Sequence, residues 1–135
     1  MPHILDGKKI AQNLKDQLKI EIEIIKIKSN RVPGLAVIQV GNVAASSVYV
    51  KAKTKAAKEV GIDVIDHHLD ESINQNDLIN LINQLNNNDD VNSILVQLPL
   101  PKIINQEIVL NSILPEKDAD GFHPLNVGKL SISPK

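Results

Sequence analysis

The sequence of 135 residues contains no cysteine and only two aromatic residues, Tyr49 and Phe122. The lack of cysteine excludes disulfides, thiolate catalysis and zinc sites built on cysteine. The scarcity of aromatic side chains excludes a surface that stacks nucleic-acid bases. It also predicts a core that is almost wholly aliphatic, so the positions of the two aromatic residues carry information.

Charge and hydropathy exclude further classes of protein. The chain has 15 basic and 16 acidic residues, a net charge of −1, and so lacks the dense basic surface that binds a phosphate backbone. No apolar run approaches the length of a membrane span, and the first residues do not form the apolar region of a secretion signal. We therefore expect a cytoplasmic protein whose partners include neither nucleic acid nor a membrane.

Alternating helix and strand patterns predict an α/β fold. The predicted strands cover residues 35–40, 62–69 and 93–98, and a loop is expected from Pro115 onward. Helices are expected over residues 8–28, from a cap at Ser46 to residue 59, after a capping box at Asn74, and over residues 105–113. The first helix has its apolar positions at Ile10, Leu14, Leu18, Ile22 and Ile25.

Short apolar strands that alternate with helices predict a three-layer fold, in which a parallel sheet is covered by helices on both faces. In such sheets ligands bind beyond the carboxyl ends of the strands. The loops after Val40 and Leu98 are therefore the expected positions of a site.

Lys53 is the first candidate for chemistry. At 100° per residue, Tyr49, Lys53 and Val60 fall on the apolar side of the second helix, whereas Lys51 points the opposite way. Burial disfavours the charged form of a lysine, which makes Lys53 a candidate for proton transfer near neutral pH. The alternative is a lysine whose stem covers the edge of the core while its charge reaches water.

Gln97 is the second candidate, because a glutamine interrupts an apolar strand at its carboxyl end. A buried carboxamide needs hydrogen-bond partners. It either orients a lysine or a substrate, or it satisfies backbone groups at the end of the strand. The sequence alone leaves both interpretations open.

Asp118 and Asp120 precede Gly121 in an arrangement typical of a turn. They could also begin a calcium loop, but the other ligands of such a loop are lacking, and we expect no metal site. His123 is either an acid or base or an ordinary loop histidine. His67 and His68 are neighbours on a predicted strand and face opposite ways, so they cannot bind one metal together.

Several segments together resemble the methylenetetrahydrofolate dehydrogenase/cyclohydrolase family. Residues 49–56 resemble its Tyr-x-x-x-Lys helix, and residues 94–101 resemble its Val-Gln-Leu-Pro-Leu signature. Residues 115–128 are similar to its Pro-x-Lys-Asp-Val-Asp-Gly-x-x-x-x-Asn-x-Gly segment. Residues 5–8 and 33–37 also match in place and order, so the resemblance covers essentially the whole chain. Two departures are mild: the loop at 42–46 lacks a proline, and Ala119 replaces a valine.

The resemblance implies roles for individual residues. Lys53 corresponds to the catalytic lysine, which transfers protons and assists the attack of water on the methenyl carbon. Gln97 contacts and tunes that lysine, Tyr49 packs against the folate near the reacting carbon, and Asp120 hydrogen-bonds the pterin ring. The substrate-binding residues implied are Ser46, Tyr49, Lys53, Gln97, Leu98 and Asp120.

The resemblance also implies an activity. Members of the family oxidise 5,10-methylenetetrahydrofolate with NADP and hydrolyse the 5,10-methenyl product to 10-formyltetrahydrofolate. They do so as cytoplasmic homodimers in the one-carbon metabolism that serves purine biosynthesis. The family's chain is about twice this length and continues into a Rossmann-type domain that holds the nicotinamide cofactor. We therefore expect a folate-binding catalytic domain at residues 1–120, the start of an inter-domain linker at 121–135, and no cofactor-binding residue in this chain.

Two alternatives of other classes stay open at this stage. The chain could bind folate without turning it over, for want of the NADP domain. It could also be an unrelated flavodoxin-like binding domain, which is disfavoured because that fold does not require the spacing of Tyr49, Lys53, Gln97 and Asp120. The sequence does not decide between NADP and NAD.

Overall fold

A sheet of three parallel strands forms the centre of the computed structural model, which describes residues 5–133. The strands are β1 (Gly34–Val40), β2 (Asp63–Leu69) and β3 (Ser93–Val96), in the order β2-β1-β3. The ends of the predicted domain and linker, residues 1–4 and 134–135, lie outside the described residues.

Five α-helices and one 3₁₀ turn surround the sheet within the described residues. They are α1 (Gly7–Ser29), α2 (Ala44–Val60), α3 (Gln75–Asn86), α4 (Gln106–Asn111), the turn Pro115–Lys117 and α5 (Pro124–Ile132). Over residues 5–133, none of these helices combines the length and apolar character needed to cross a bilayer.

The sheet has a helical layer on each face, as predicted. Because side chains alternate along a strand, Ala36, Ile38 and Val40 lie on one face of β1, within the main cluster of buried aliphatic residues. The other members of that cluster come from β3, α3, α4 and the nearby loops: Leu78, Ile82, Leu85, Val91, Ile94, Val96, Ile104, Val109 and Ile113. Val37 and Gln39 lie on the opposite face, which α2 covers.

Two of the N-caps predicted from the sequence are present. The Asp6 carboxylate accepts from the N–H groups of Lys8 and Lys9, each at 3.1 Å. Asn74 Oδ1 accepts from the Asp77 N–H at 2.9 Å. These side chains satisfy N–H groups that have no partner inside the helix, which explains why α1 and α3 begin where they do.

Most of the predicted inward face of α1 is exposed. Only Ile22 is buried, at 5% exposure, and it packs beside Gly61 at the end of α2. The other four predicted positions, Ile10, Leu14, Leu18 and Ile25, are each about half exposed. The physical reason is that α2 is the main helix packed against α1 among the described residues.

Three predicted boundaries are wrong. Helix α2 begins at Ala44 with Val43 at its N-cap, so Ser46 is not a cap but a buried residue in the first turn. Strand β3 ends at Val96, before Gln97. The region after Pro115 is not simply a loop, because α5 forms with Pro124 in its first turn and with His123 Nδ1 accepting from the Leu125 N–H at 3.2 Å.

Candidate active site

The loops that follow β1 and β3 meet at the carboxyl edge of the sheet. They enclose a cavity of about 240 Å³ lined by Val40, Gly41, Asn42, Val43, Glu71, Pro99, Leu100 and Pro101. This is the edge at which parallel α/β sheets bind ligands, and it is where the sequence placed the site. The candidate residues Lys53, Gln97 and Asp120 line neither this cavity nor the larger cavities, of about 710 and 500 Å³, that lie along the β2 side.

Lys53 and Gln97 contact each other directly. The Nζ of Lys53 donates to Oε1 of Gln97 at 3.2 Å. The amide of Gln97 is itself held, because Nε2 donates to the Leu98 carbonyl at 2.8 Å and the backbone N–H donates to the Ile38 carbonyl at 2.8 Å. Gln97 therefore satisfies a backbone group at the strand end and also orients a lysine, so the two interpretations of the sequence both apply.

The flank of α2 that carries Tyr49 and Lys53 is open to solvent, contrary to the prediction of an inward face. Tyr49 is 62% exposed, and Lys53 is also exposed. The helix buries Val60, which belongs to the predicted apolar side, together with Ser46 and Ala57. Lys53 lies in the same sector of the helix as these three residues but is exposed, and its Nζ reaches Gln97 just after the end of β3. An exposed lysine that is already oriented by an amide can reach a bound ligand.

Asp120 stands on the loop that follows the 3₁₀ turn. The Ala119 N–H donates to the Ile94 carbonyl at 3.2 Å, so this loop runs beside β3. Desolvation by its surroundings raises the pKa of the Asp120 carboxyl, the Lys53 ammonium lowers it, and the Asp118 carboxylate raises it, with a net increase above the ordinary value. The Lys53 ammonium therefore acts on the Asp120 carboxyl through its charge.

The Asp118 carboxylate stabilises that loop. Partial burial raises the pKa of its carboxyl, but hydrogen bonds outweigh burial and leave the pKa below its ordinary value. The donors are the side chain of Asn126 and the backbone N–H groups of Gly121, Phe122 and His123. With these contacts made, the carboxylate holds the turn that presents Asp120.

The structure brings most of the predicted site residues together. Lys53, Gln97 and Asp120 form the cluster, Leu98 follows Gln97, and Tyr49 lies one helical turn before Lys53. Ser46 lies in the first turn of α2 and is buried.

Comparison with known proteins identifies the family. A family model described as "Tetrahydrofolate dehydrogenase/cyclohydrolase, catalytic domain" matches residues 5–120. The chain belongs to this family.

Relatives within the tetrahydrofolate dehydrogenase/cyclohydrolase family match nearly the whole chain. A bifunctional protein FolD from Acetivibrio thermocellus is 54% identical over 129 residues, which are 96% of this chain and 45% of the relative. A crystal structure of the FolD enzyme from Campylobacter jejuni is 49% identical with a TM-score of 0.91, covering 94% of this chain and 45% of that one. A Trypanosoma brucei FolD, solved with NADP cofactor and inhibitor, is 36% identical with a TM-score of 0.93 over 100% of this chain and 46% of that one.

The chain thus spans slightly less than half the length of the family members it matches. Its described residues do not fit a dinucleotide, because binding of the pyrophosphate calls for a glycine-rich turn between a strand and a helix. The turn from β1 to α2 contains only Gly41, and the residues from β2 to α3 contain no glycine.

One buried polar residue of this chain was not among the candidate site residues predicted from the sequence. Gln39 is buried within β1, on the face that α2 covers. The signal in the sequence is the one that singled out Gln97, an amide inside an otherwise apolar strand.

Proposed function

We propose that this chain is the folate-binding catalytic domain of a methylenetetrahydrofolate dehydrogenase/cyclohydrolase. One observation carries the proposal: Lys53 Nζ is held by Gln97 Oε1 at 3.2 Å, within the electrostatic reach of the Asp120 carboxyl. An oriented amine and a carboxylate at the carboxyl edge of the sheet supply proton transfer and a charged hydrogen-bond acceptor in one place.

The proposed hydrolysis uses these groups in turn. Asp120 accepts hydrogen bonds from the pterin ring, and Tyr49 packs on the folate near the reacting carbon. The oxygen of a water molecule bonds to the methenyl carbon while the water loses a proton. Lys53 assists the transfer of that proton. The bond from the carbon to N5 then breaks, the hydroxyl on the carbon gives up its proton to form the formyl C=O, and N5 gains a proton, which gives 10-formyltetrahydrofolate.

Oxidation of 5,10-methylenetetrahydrofolate is proposed for the intact protein, with NADP bound by parts that residues 5–133 do not include. The relative from Trypanosoma brucei was solved with NADP, which supports this choice of cofactor. As for other members of the family, we propose a cytoplasmic homodimer in the one-carbon metabolism that serves purine biosynthesis.

Titration calorimetry with 5,10-methenyltetrahydrofolate tests the proposed site. Asp120→Ala should weaken binding about tenfold to a hundredfold, because a charged hydrogen bond contributes roughly 1.5–3 kcal/mol. Asp89→Ala, at an exposed turn away from the site, is the matched control and should bind like the parent chain. Equal affinities for all three proteins would refute the assignment of Asp120 to the pterin.

A folate-binding module without turnover is the second candidate. The openness of the Lys53 flank favours it, because catalysis benefits from a site that excludes water. Hydrolysis of methenyltetrahydrofolate separates the two candidates, since that step needs water and the lysine but no nicotinamide.

A further inference from the structure

Gln39 is buried in the middle of the sheet, at 6% exposure. Among residues 5–133 only Gln39 and Ser46 are both polar and buried. The Nε2 of Gln39 donates to the Gly41 carbonyl at 3.2 Å and to Ser47 Oγ at 2.8 Å. One amide group thus joins the end of β1 to the first turn of α2.

The turn between β1 and α2 depends on this contact and on a second one. Gly41 adopts a φ of +75°, which favours glycine. Its N–H donates to the Leu69 carbonyl at 2.9 Å, and its carbonyl lies 2.9 Å from His68 Nε2. Gln39 of β1 therefore holds the turn from one side, and His68 and Leu69 of β2 hold it from the other.

The beginning of α2 has little other support from side chains. Val43, at the N-cap, makes no capping hydrogen bond. The hydrogen bond from Gln39 to Ser47 is therefore the side-chain anchor of the first turn. Thr54 Oγ1 donates to Asp66 Oδ1 at 3.0 Å, but this second tie between α2 and the sheet lies two turns later.

Lys53 follows Ser47 by six residues, which is about 9 Å along a helix at 1.5 Å per residue. A small tilt at the first turn therefore moves the lysine Nζ relative to Gln97, which is fixed on the other side by β1. Misplacement of a catalytic group by about 1 Å can cost two orders of magnitude in rate.

We infer that Gln39 is a positioning residue for the reaction, which acts through Ser47 and the first turn of α2 on the placement of Lys53. The inference rests on the proposed function. It predicts a larger effect on turnover than on folate affinity, because Tyr49 moves with α2 but Asp120 lies on a different loop, held by Asp118.

The experiment measures hydrolysis of 5,10-methenyltetrahydrofolate by the natural gene product and its variants. Gln39→Leu removes the donor group at similar volume, and Ser47→Ala removes its partner on the helix. Each should lower kcat about tenfold to a hundredfold, change KM less than about threefold and displace the pH–rate profile. Ser47→Thr keeps the hydroxyl and should retain kcat within about threefold of the parent.

Ile82→Val is the control for general destabilisation, because Ile82 is fully buried on the other face of the sheet. It should lower the unfolding temperature without lowering kcat. The inference is overturned if folded Gln39→Leu and Ser47→Ala retain the parent kcat, or if Ile82→Val loses as much turnover as they do. Should Gln39→Leu fail to fold, Ser47→Ala against Ser47→Thr decides the matter. A parent protein without hydrolase activity would overturn the proposed function and this inference with it.

Discussion

Two aspartates separated by one residue have opposite electrostatic surroundings. Asp118 accepts several hydrogen bonds that lower the pKa of its carboxyl, whereas desolvation raises the pKa of the Asp120 carboxyl. The first residue stabilises the folded loop through its charge. The charge on Asp120 destabilises the folded state, as is expected of a carboxylate whose role is to bind a ligand.

The two carboxyls should therefore affect stability with opposite signs. A lowered pKa contributes stability above the ordinary value of 3.8 that is lost as pH falls through the folded-state pKa. A raised pKa contributes stability only below that value, and it is lost as pH rises through the folded-state pKa. At pH 7, Asp118→Asn should lower the unfolding temperature and Asp120→Asn should raise it.

Thermal unfolding from pH 3 to pH 7 measures both effects. The gain from Asp120→Asn should vanish at the acid end, where the carboxyl is protonated in both the folded and the unfolded chain. The loss from Asp118→Asn should shrink there for the same reason. A gain from Asp120→Asn that does not depend on pH would show that its charge does not strain the loop.

Helix α3 is the element that local sequence determines most completely. Asn74 and Asp77 cap each other, through Asn74 Oδ1 with the Asp77 N–H at 2.9 Å and through the two side chains at 2.5 Å. Leu78, Ile82 and Leu85 then fall on the buried face. Both the start and the face follow from interactions within a few residues, so both could be predicted.

Removal of the α3 cap gives a measure of its strength. Asn74→Ala should lower the free energy of unfolding by about 1 kcal/mol, because the Asp77 N–H loses its partner. Gln84→Ala, at an exposed position inside the same helix, should be neutral or slightly stabilising, since alanine favours helices. Chemical denaturation of the two variants checks this, and an equal loss from both would argue against the cap.

Only some features of helix α2 could be predicted from the sequence. Its end at Gly61 follows from a local signal. The exposure of Tyr49 and Lys53 does not, because it depends on what packs against this flank of the helix. The position of both residues on one flank was still predictable from their spacing.

Across the whole molecule, the alternation of helices and strands was enough to predict a parallel sheet with two helical layers. The strand order β2-β1-β3 and the meeting of Lys53 with Gln97 depend on long-range pairing, which no local pattern contains. The resemblance to a family provided the pairing of these residues, and the structure provides its geometry. The exposure of the apolar side of α1 likewise depends on what packs against it.

The site is open on the Lys53 flank, and the chain spans under half the length of its relatives. This openness favours a binding module over catalysis by the described residues alone, and the proposed catalytic function needs other parts of the intact protein to cover the folate.

Hydrolysis of 5,10-methenyltetrahydrofolate by the natural gene product and two lysine variants tests the central claim most directly. Lys53→Met should lower turnover by about 10²–10⁴-fold, the usual contribution of a general acid or base, while the fold stays intact. Lys51→Met removes an exposed lysine two residues earlier and should retain turnover. A parent protein that hydrolyses the substrate and a selective loss at Lys53 are the predicted results. Equal losses from both substitutions, or full activity in Lys53→Met, would contradict the account.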